Sequence, residues 1–187
     1  EILRCLVGSE MCIRDRLLWT FGYFGTSVYS WFGNIFDLSE YRGLDATAYL
    51  ENGFSEDAGA IRWLDETIEG QPVVLEANGD SYSDYERVSA MTGLPTVLGW
   101  YVHEWLWRGD PADLNVRAED VKQMYTSTDT NEVLRLLEQY HVTYIFVGSK
   151  EKEKYGDALN ELLLQSIGDI VYQDTASGTY ILQVQDT

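Results

Sequence analysis

Two stretches of this chain carry most of the residue types that chemistry requires. The first, Glu76-Ala-Asn-Gly-Asp-Ser-Tyr-Ser-Asp-Tyr-Glu-Arg87, follows an apolar run and offers carboxylates, phenols and a guanidinium. The second, Trp100-Tyr-Val-His-Glu-Trp-Leu-Trp-Arg-Gly109, combines an imidazole, an acid, flat indole faces and a fork-shaped cation. From these we take Glu76, Asp80, Tyr82, Arg87, His103, Glu104, Trp105, Trp107 and Arg108 as candidate ligand-binding residues. Aromatic faces stack on sugar CH groups and arginine grips an anion with two parallel bonds, so the mix suits sugars or phosphates. The competing reading makes the tryptophans core or interface anchors.

Glu76 lies near the end of a strand expected to be buried on both faces, where a carboxylate needs a partner or a proton. Arg87 or Arg108 would be that partner; Glu76 is then either a base or ligand, or half of a buried ion pair tying the two loops together. A divalent cation at His103, Glu104, Glu76 and Asp80 is chemically reasonable, although the spacing matches no metal motif. No cofactor is evident. His141, beside Tyr140 at the start of a strand, reads as a surface or capping residue. The glycine spacing of dinucleotide-binding loops, the phosphate-loop lysine and the nucleophile elbow do not occur, so no catalytic residue is assigned.

The elements that must position these loops alternate helix and strand. Ser55 is placed to cap a helix whose Ala58, Ile61, Leu64 and Ile68 share one face, with Gly70 beyond its end. Pro72–Ala77 reads as a short buried strand, Asp84–Thr92 as a brief helix closed by Gly93, and Pro95–Trp100 as a second strand. Tyr101–Arg117 reads as a long loop leading to a short helix over Ala118–Tyr125. Asp129 caps a helix with Val133, Leu136, Leu137 and Tyr140 on one side. Val142–Gly148 is a strand and Tyr155–Ile167 a helix, and Ile170–Asp174 pairs with Thr179–Gln185 as a hairpin. Helices alternating with apolar strands imply an α/β fold: a three-layer α/β/α sandwich on a mostly parallel sheet of about five strands, ending in an antiparallel hairpin. Ligands of such sheets collect at the carboxyl ends of the strands, where both loops would lie.

The chain has 187 residues, 45% of them hydrophobic, and a formal net charge of -18. That length holds one domain with a real core, and the acidity argues against nucleic acid, which needs clustered Lys and Arg. Residues 1–16 hold both cysteines, Cys5 and Cys12, with three acids and three arginines, and read as a spurious leader resembling translated sequencing-adapter DNA. The net charge therefore resides in residues 17–187, which contain no cysteine for a disulfide or thiolate site. Residues 17–40 form an aromatic arm, either membrane-proximal or packed on the domain of residues 41–187.

An ordered set of residues resembles a known family: Gly43–Leu50, Ala60–Leu64, Gln71–Ala77, Ser81-Tyr82, Arg87–Ser89, Thr92–Trp100, His103-Glu104, Trp107–Gly109, Asp120-Val121, Tyr125 and the strand ending Val147-Gly148. Together, over roughly residues 41–184, these resemble the C-terminal region of the YYY-type multi-spanning membrane proteins, whose body is similar to the C-type glycosyltransferases. The resemblance implies a soluble extracytoplasmic domain, a membrane-embedded body in the same polypeptide, and a sugar or polyprenyl-phosphate ligand. In such enzymes the catalytic acid lies in an early extracytoplasmic loop. Neither that loop nor the YYYxG motif occurs here, so the resemblance assigns catalysis to no residue of this chain. The runner-up expectation is a non-catalytic binding or assembly module.

Overall fold

The computed structural model describes residues 17–27 and 47–185. The chain divides into two compact units, Glu1–Asp45 and Ala46–Thr187. In the first, residues 17–27 form helix α1, whose Leu18, Trp19, Phe21, Tyr23 and Phe24 are all exposed. The leader of residues 1–16 and the rest of the arm, residues 28–40, lie outside the described residues.

The second unit runs α2 (Thr47–Gly53), α3 (Ala58–Thr67), β1 (Val73–Leu75), α4 (Arg87–Thr92), α5 (Tyr101–Arg108), α6 (Pro111–Thr126), α7 (Thr130–Gln139), β2 (Val142–Val147), α8 (Ser149–Tyr155), α9 (Glu161–Ile167), β3 (Gly168–Gln173) and β4 (Tyr180–Val184). The four strands lie in the order β1-β2-β4-β3. Only β1 and β2 are parallel; β4 runs antiparallel to both β2 and β3. The sheet is thus mixed and four-stranded, where the sequence led us to expect a mostly parallel sheet of about five strands.

Period-two alternation along the strands supplies a core to each face of the sheet. Leu75, Ile145, Val147 and Leu182 face α6, α7 and α9 through Leu114, Val121, Met124, Val133, Leu136 and Leu164. Val74, Phe146 and Ile181 face the other way, against Leu50, Ile61, Leu64 and Val88 of α2, α3 and α4. Helices therefore cover both sides.

The missing fifth strand has a local cause. Pro95 O accepts from Val74 N and Thr96 makes one parallel bridge to Val74, but the ladder ends there. Beyond it, side chains take the backbone groups a strand would use: Arg117 donates to Val97 O, Glu104 accepts from Gly99 N, and Glu86 accepts from Trp100 N. Nor is Tyr101–Arg117 a loop. It holds α5 and the start of α6, divided by Gly109 at φ 81° and by Asp110, which caps α6 by accepting from Ala112 N ahead of Pro111. The expected helix over Tyr155–Ile167 is broken by Gly156 at φ 49° and restarts where Asn160 accepts from Leu163 N. Ser55 lies in a turn before α3, whose N-cap position belongs to Asp57.

Tyr125 ties the parallel pair together. It is fully buried, and its hydroxyl reaches Phe146 O at 2.8 Å and Leu75 O at 3.0 Å, bridging the ends of β2 and β1. Its ring stacks on Tyr155 at 5.0 Å. Removing only the hydroxyl, by Tyr125→Phe, leaves carbonyl lone pairs unanswered in the core and should lower unfolding free energy by about 1–3 kcal/mol. Urea denaturation followed by far-ultraviolet circular dichroism measures this.

Candidate functional site

Because β1 and β2 are parallel, the loops that leave their carboxyl ends emerge on one edge of the sheet. The chain leaving the Thr96 bridge joins them there. The first loop and α5 touch along a continuous rim. Trp100 Nε1 donates to Tyr85 O at 2.9 Å and its backbone N donates to Glu86 Oε2 at 2.8 Å, while His103 N donates to Ser81 Oγ at 3.2 Å. Above these bonds three rings meet: Tyr82 and His103 at 4.9 Å, Trp100 and His103 at 5.2 Å, Tyr82 and Trp100 at 5.4 Å.

The nine candidate residues divide into two levels. On the rim, Asp80 is exposed, Tyr82 is 83% exposed, and His103 and Glu104 are half-buried. Trp105, Trp107 and Arg108 stand out on α5, which contributes no buried residue; Trp107 is 90% exposed. Arg108 pairs with Glu104 across one helical turn, so it is not the partner of Glu76. Glu76 and Arg87 lie beneath the rim, buried, and neither reaches solvent. The two loops do converge, but Glu76 and Arg87 serve the interior rather than the surface.

Glu76 accepts from Val88 N at 2.9 Å and Ser89 N at 2.8 Å, closing the first turn of α4. Burial pushes its carboxyl up to about 7, against the opposing pull of Arg87 and the two amide bonds and with a small contribution from Glu151. Both oxygens are thus committed to α4. Among the described residues there is no group of three or more His, Cys, Asp or Glu side chains placed to hold a metal ion.

Arg87 is answered by two residues that sequence reasoning passed over. Its Nε donates to Asp57 Oδ2 at 2.7 Å and its Nη2 to Glu151 Oε2 at 2.8 Å, all three side chains being buried. Asp57 also accepts from Ser149 N and Oγ and from Thr179 Oγ1. Glu151 also accepts from Ala77 N and Gly148 N. Burial opposes ionisation of Asp57, yet Arg87 and Ser149 outweigh it and hold the carboxyl below the ordinary aspartate value. Burial likewise works against the Arg87 charge, and Glu151, Asp57 and Glu76 more than offset it, so the guanidinium stays ionised. Sequence carried a trace of this in Gly148: a Cβ there would sit 2.3 Å from Asp57 Oδ1.

Glu86 was also missed. It sits at φ 66°, half-buried beneath the rim, and burial, with Glu104 beside it, pushes its carboxyl up. Next to it a cleft of about 360 Å³ is lined by Tyr49, Phe54, Tyr82, Glu86, Met91 and Trp100, among others. His141 lies at the far end of β2, in the left-handed region at φ 53°.

Searches against protein-family models and against curated proteins give no match. Among solved structures, the C-terminal globular domain of an oligosaccharyltransferase from Archaeoglobus fulgidus is similar to this chain, with 13% identity and a TM-score of 0.42 over 68% of this chain and 95% of that one. At that distance the similarity gives no residue a role. The resemblance to the YYY-type proteins rests on the ordered residues alone.

Two measurements test the buried level. Arg87→Met strands Asp57 and Glu151 without their cation and should cost about 3–5 kcal/mol in urea unfolding. Glu76 gives a pH dependence whose sign follows from its raised value. Between about pH 4.5, its value when unfolded, and about 7, the native carboxyl keeps a proton that the unfolded chain has lost. Its contribution to stability is therefore complete below this window and lost as pH rises through it. The difference in unfolding free energy between about pH 5 and about pH 8 should be more negative in the parent chain than in Glu76→Gln.

Proposed function

We propose that this chain carries an extracytoplasmic domain of a membrane-attached, glycosyltransferase-like protein, and that its rim holds the sugar portion of a ligand without itself supplying the catalytic group. The observation that carries the reading is Tyr82. Its backbone is in the left-handed region at φ 62°, which a bulky side chain adopts only under constraint, and its ring is held open to solvent against Trp100 and His103. An exposed aromatic plane with hydrogen-bonding groups at its margin is the chemistry of carbohydrate stacking.

Charge favours the sugar over the phosphate. Asp80, Asp84, Glu86 and Glu104 crowd the rim, while Arg108 is bonded to Glu104 and Lys150 lies between Asp84 and Glu153. A phosphate would meet more carboxylates than free cations. The membrane part of the proposal is supported by the resemblance and by the uncharged, aromatic and exposed surface of α1. No helix among the described residues is long and apolar enough to cross a membrane.

A second reading, an assembly module, is favoured by the outer face of α5. Val102, Trp105, Leu106 and Trp107 are all exposed there, with Leu106 at 71%. Thermal unfolding with added sugars separates the two. A ligand that binds only the folded domain raises its melting temperature, so the carbohydrate reading expects a rise that Tyr82→Ala abolishes and Leu106→Ser retains. The assembly reading expects no rise with any sugar, and weaker association with partner chains in Leu106→Ser.

A further inference from the structure

The geometry points to an amine-bearing sugar as the ligand of the cleft beside the rim, with Glu86 as the residue that selects it. The inference rests on the carbohydrate reading above and narrows it to one substrate class. The cleft of about 360 Å³ is within the size range of small-molecule sites, and Tyr49, Phe54, Met91, Tyr82 and Trp100 give it apolar and aromatic walls. Its charged groups are unequal. The Arg87 charge is turned inward to Asp57 and Glu151, and Asp84 has Lys150 at 3.4 Å. Glu86 Oε2 accepts from Trp100 N, whereas among the described residues Oε1 accepts from no donor and no cation lies within ion-pair distance.

The backbone is shaped to bring that carboxylate here. A Cβ on Gly99 would fall 2.1 Å from Glu86 Oε1 and 3.2 Å from Glu104 Oε1, so the two acids converge over a position where only glycine fits. Glu104 is answered, by Gly99 N and by Arg108. Glu86 is answered at Oε2 alone, by Trp100 N, although it is half-buried, has Glu104 as a like-charged neighbour, and is held at φ 66°. His103 and Trp100 N are the groups that favour its ionised form. An ammonium group entering the cleft satisfies this acceptor with a charge-assisted bond and meets the electron-rich faces of Tyr82 and Trp100. A neutral sugar offers Glu86 only hydroxyl donors. A phosphosugar places its anion against Glu86 and Asp84.

The test is calorimetric titration of the full chain with methyl glucosaminide, methyl glucoside and methyl N-acetylglucosaminide, under conditions that keep the free amine protonated. The expected result is about tenfold tighter binding of the free amine than of the other two, a gap that closes in Glu86→Gln. That variant keeps an acceptor for Trp100 N, and an unchanged melting temperature shows that the fold is retained. Should Glu86→Gln lower the melting temperature, the parent chain provides the comparison instead: its preference for the glucosaminide should disappear at a pH that deprotonates the amine. Tyr82→Ala should weaken all three sugars together. Equal binding of the three sugars, or a preference that survives Glu86→Gln, overturns the amine assignment and leaves the carbohydrate reading standing. Absence of binding by any of them overturns both.

Discussion

The carboxyl edge of the sheet depends on one buried cation. Arg87 lies between Asp57 and Glu151, and the chain segments that these three residues bring together are distant in sequence. Asp57 precedes α3, Arg87 opens α4, and Glu151 lies in the first turn of α8. Through the remaining acceptor positions of the two acids, the same group also holds Ala77 after β1, Gly148 after β2 and Thr179 before β4. Two carboxylates and one guanidinium taken out of water would be unfavourable without these bonds; with them, nearly every lone pair is matched. Such a network adds little net stability over a well-packed apolar core. A different register of β1, β2 and β4 would separate these partners, so the network favours the observed pairing.

That constraint explains why the rim can exist. Tyr82 and Glu86 are both held in the left-handed region, each at a cost of order 1 kcal/mol, within a loop that ends on Arg87. A loop with mobile ends would relax both residues. Here Arg87 anchors one end in the core, Glu76 binds the first turn of α4, and Ala77 N is fixed on Glu151 at the other end. The strain is therefore borne by groups that have no access to solvent, and the side chains above them are free to face outward.

Much of this was legible in the residues, and the failures have physical reasons. The apolar runs located β1, β2, β3 and β4, Asp129 gave the start of α7, and the loops after the strands were brought to one edge as parallel pairing requires. The strand expected over Pro95–Trp100 failed because its amides and carbonyls are taken by Arg117, Glu104 and Glu86, none of which is visible from apolar pattern. Helix α5 was read as a loop because no residue of it is fully buried: Tyr101 alone of its apolar residues packs on the core, and Val102, Trp105, Leu106 and Trp107 face solvent, so no apolar face marks it in the sequence. Asp57 and Glu151 were passed over because each lies in a polar stretch far from Arg87 in sequence. A single chain gives no signal that pairs charges across such separations, and only Gly148, bare because Asp57 needs its space, hinted at the arrangement.

The division between the two levels also argues about where specificity can lie. Below the rim Arg87 is held by Asp57 and Glu151 and the Glu76 carboxyl by two amides of α4, so the bonds of Glu76 and Arg87 are directed into the fold. Above it, the hydrogen bonds that join the first loop to α5 use the backbone of Trp100 and His103 and the edge N–H of the Trp100 indole. The ring faces are therefore positioned without being consumed. Carboxylates outnumber unpaired cations around them, as they do over the whole chain. A surface built this way disfavours anions by its field before contact, and under the proposed reading a neutral or cationic polyol would meet aromatic faces that the buried network has already oriented.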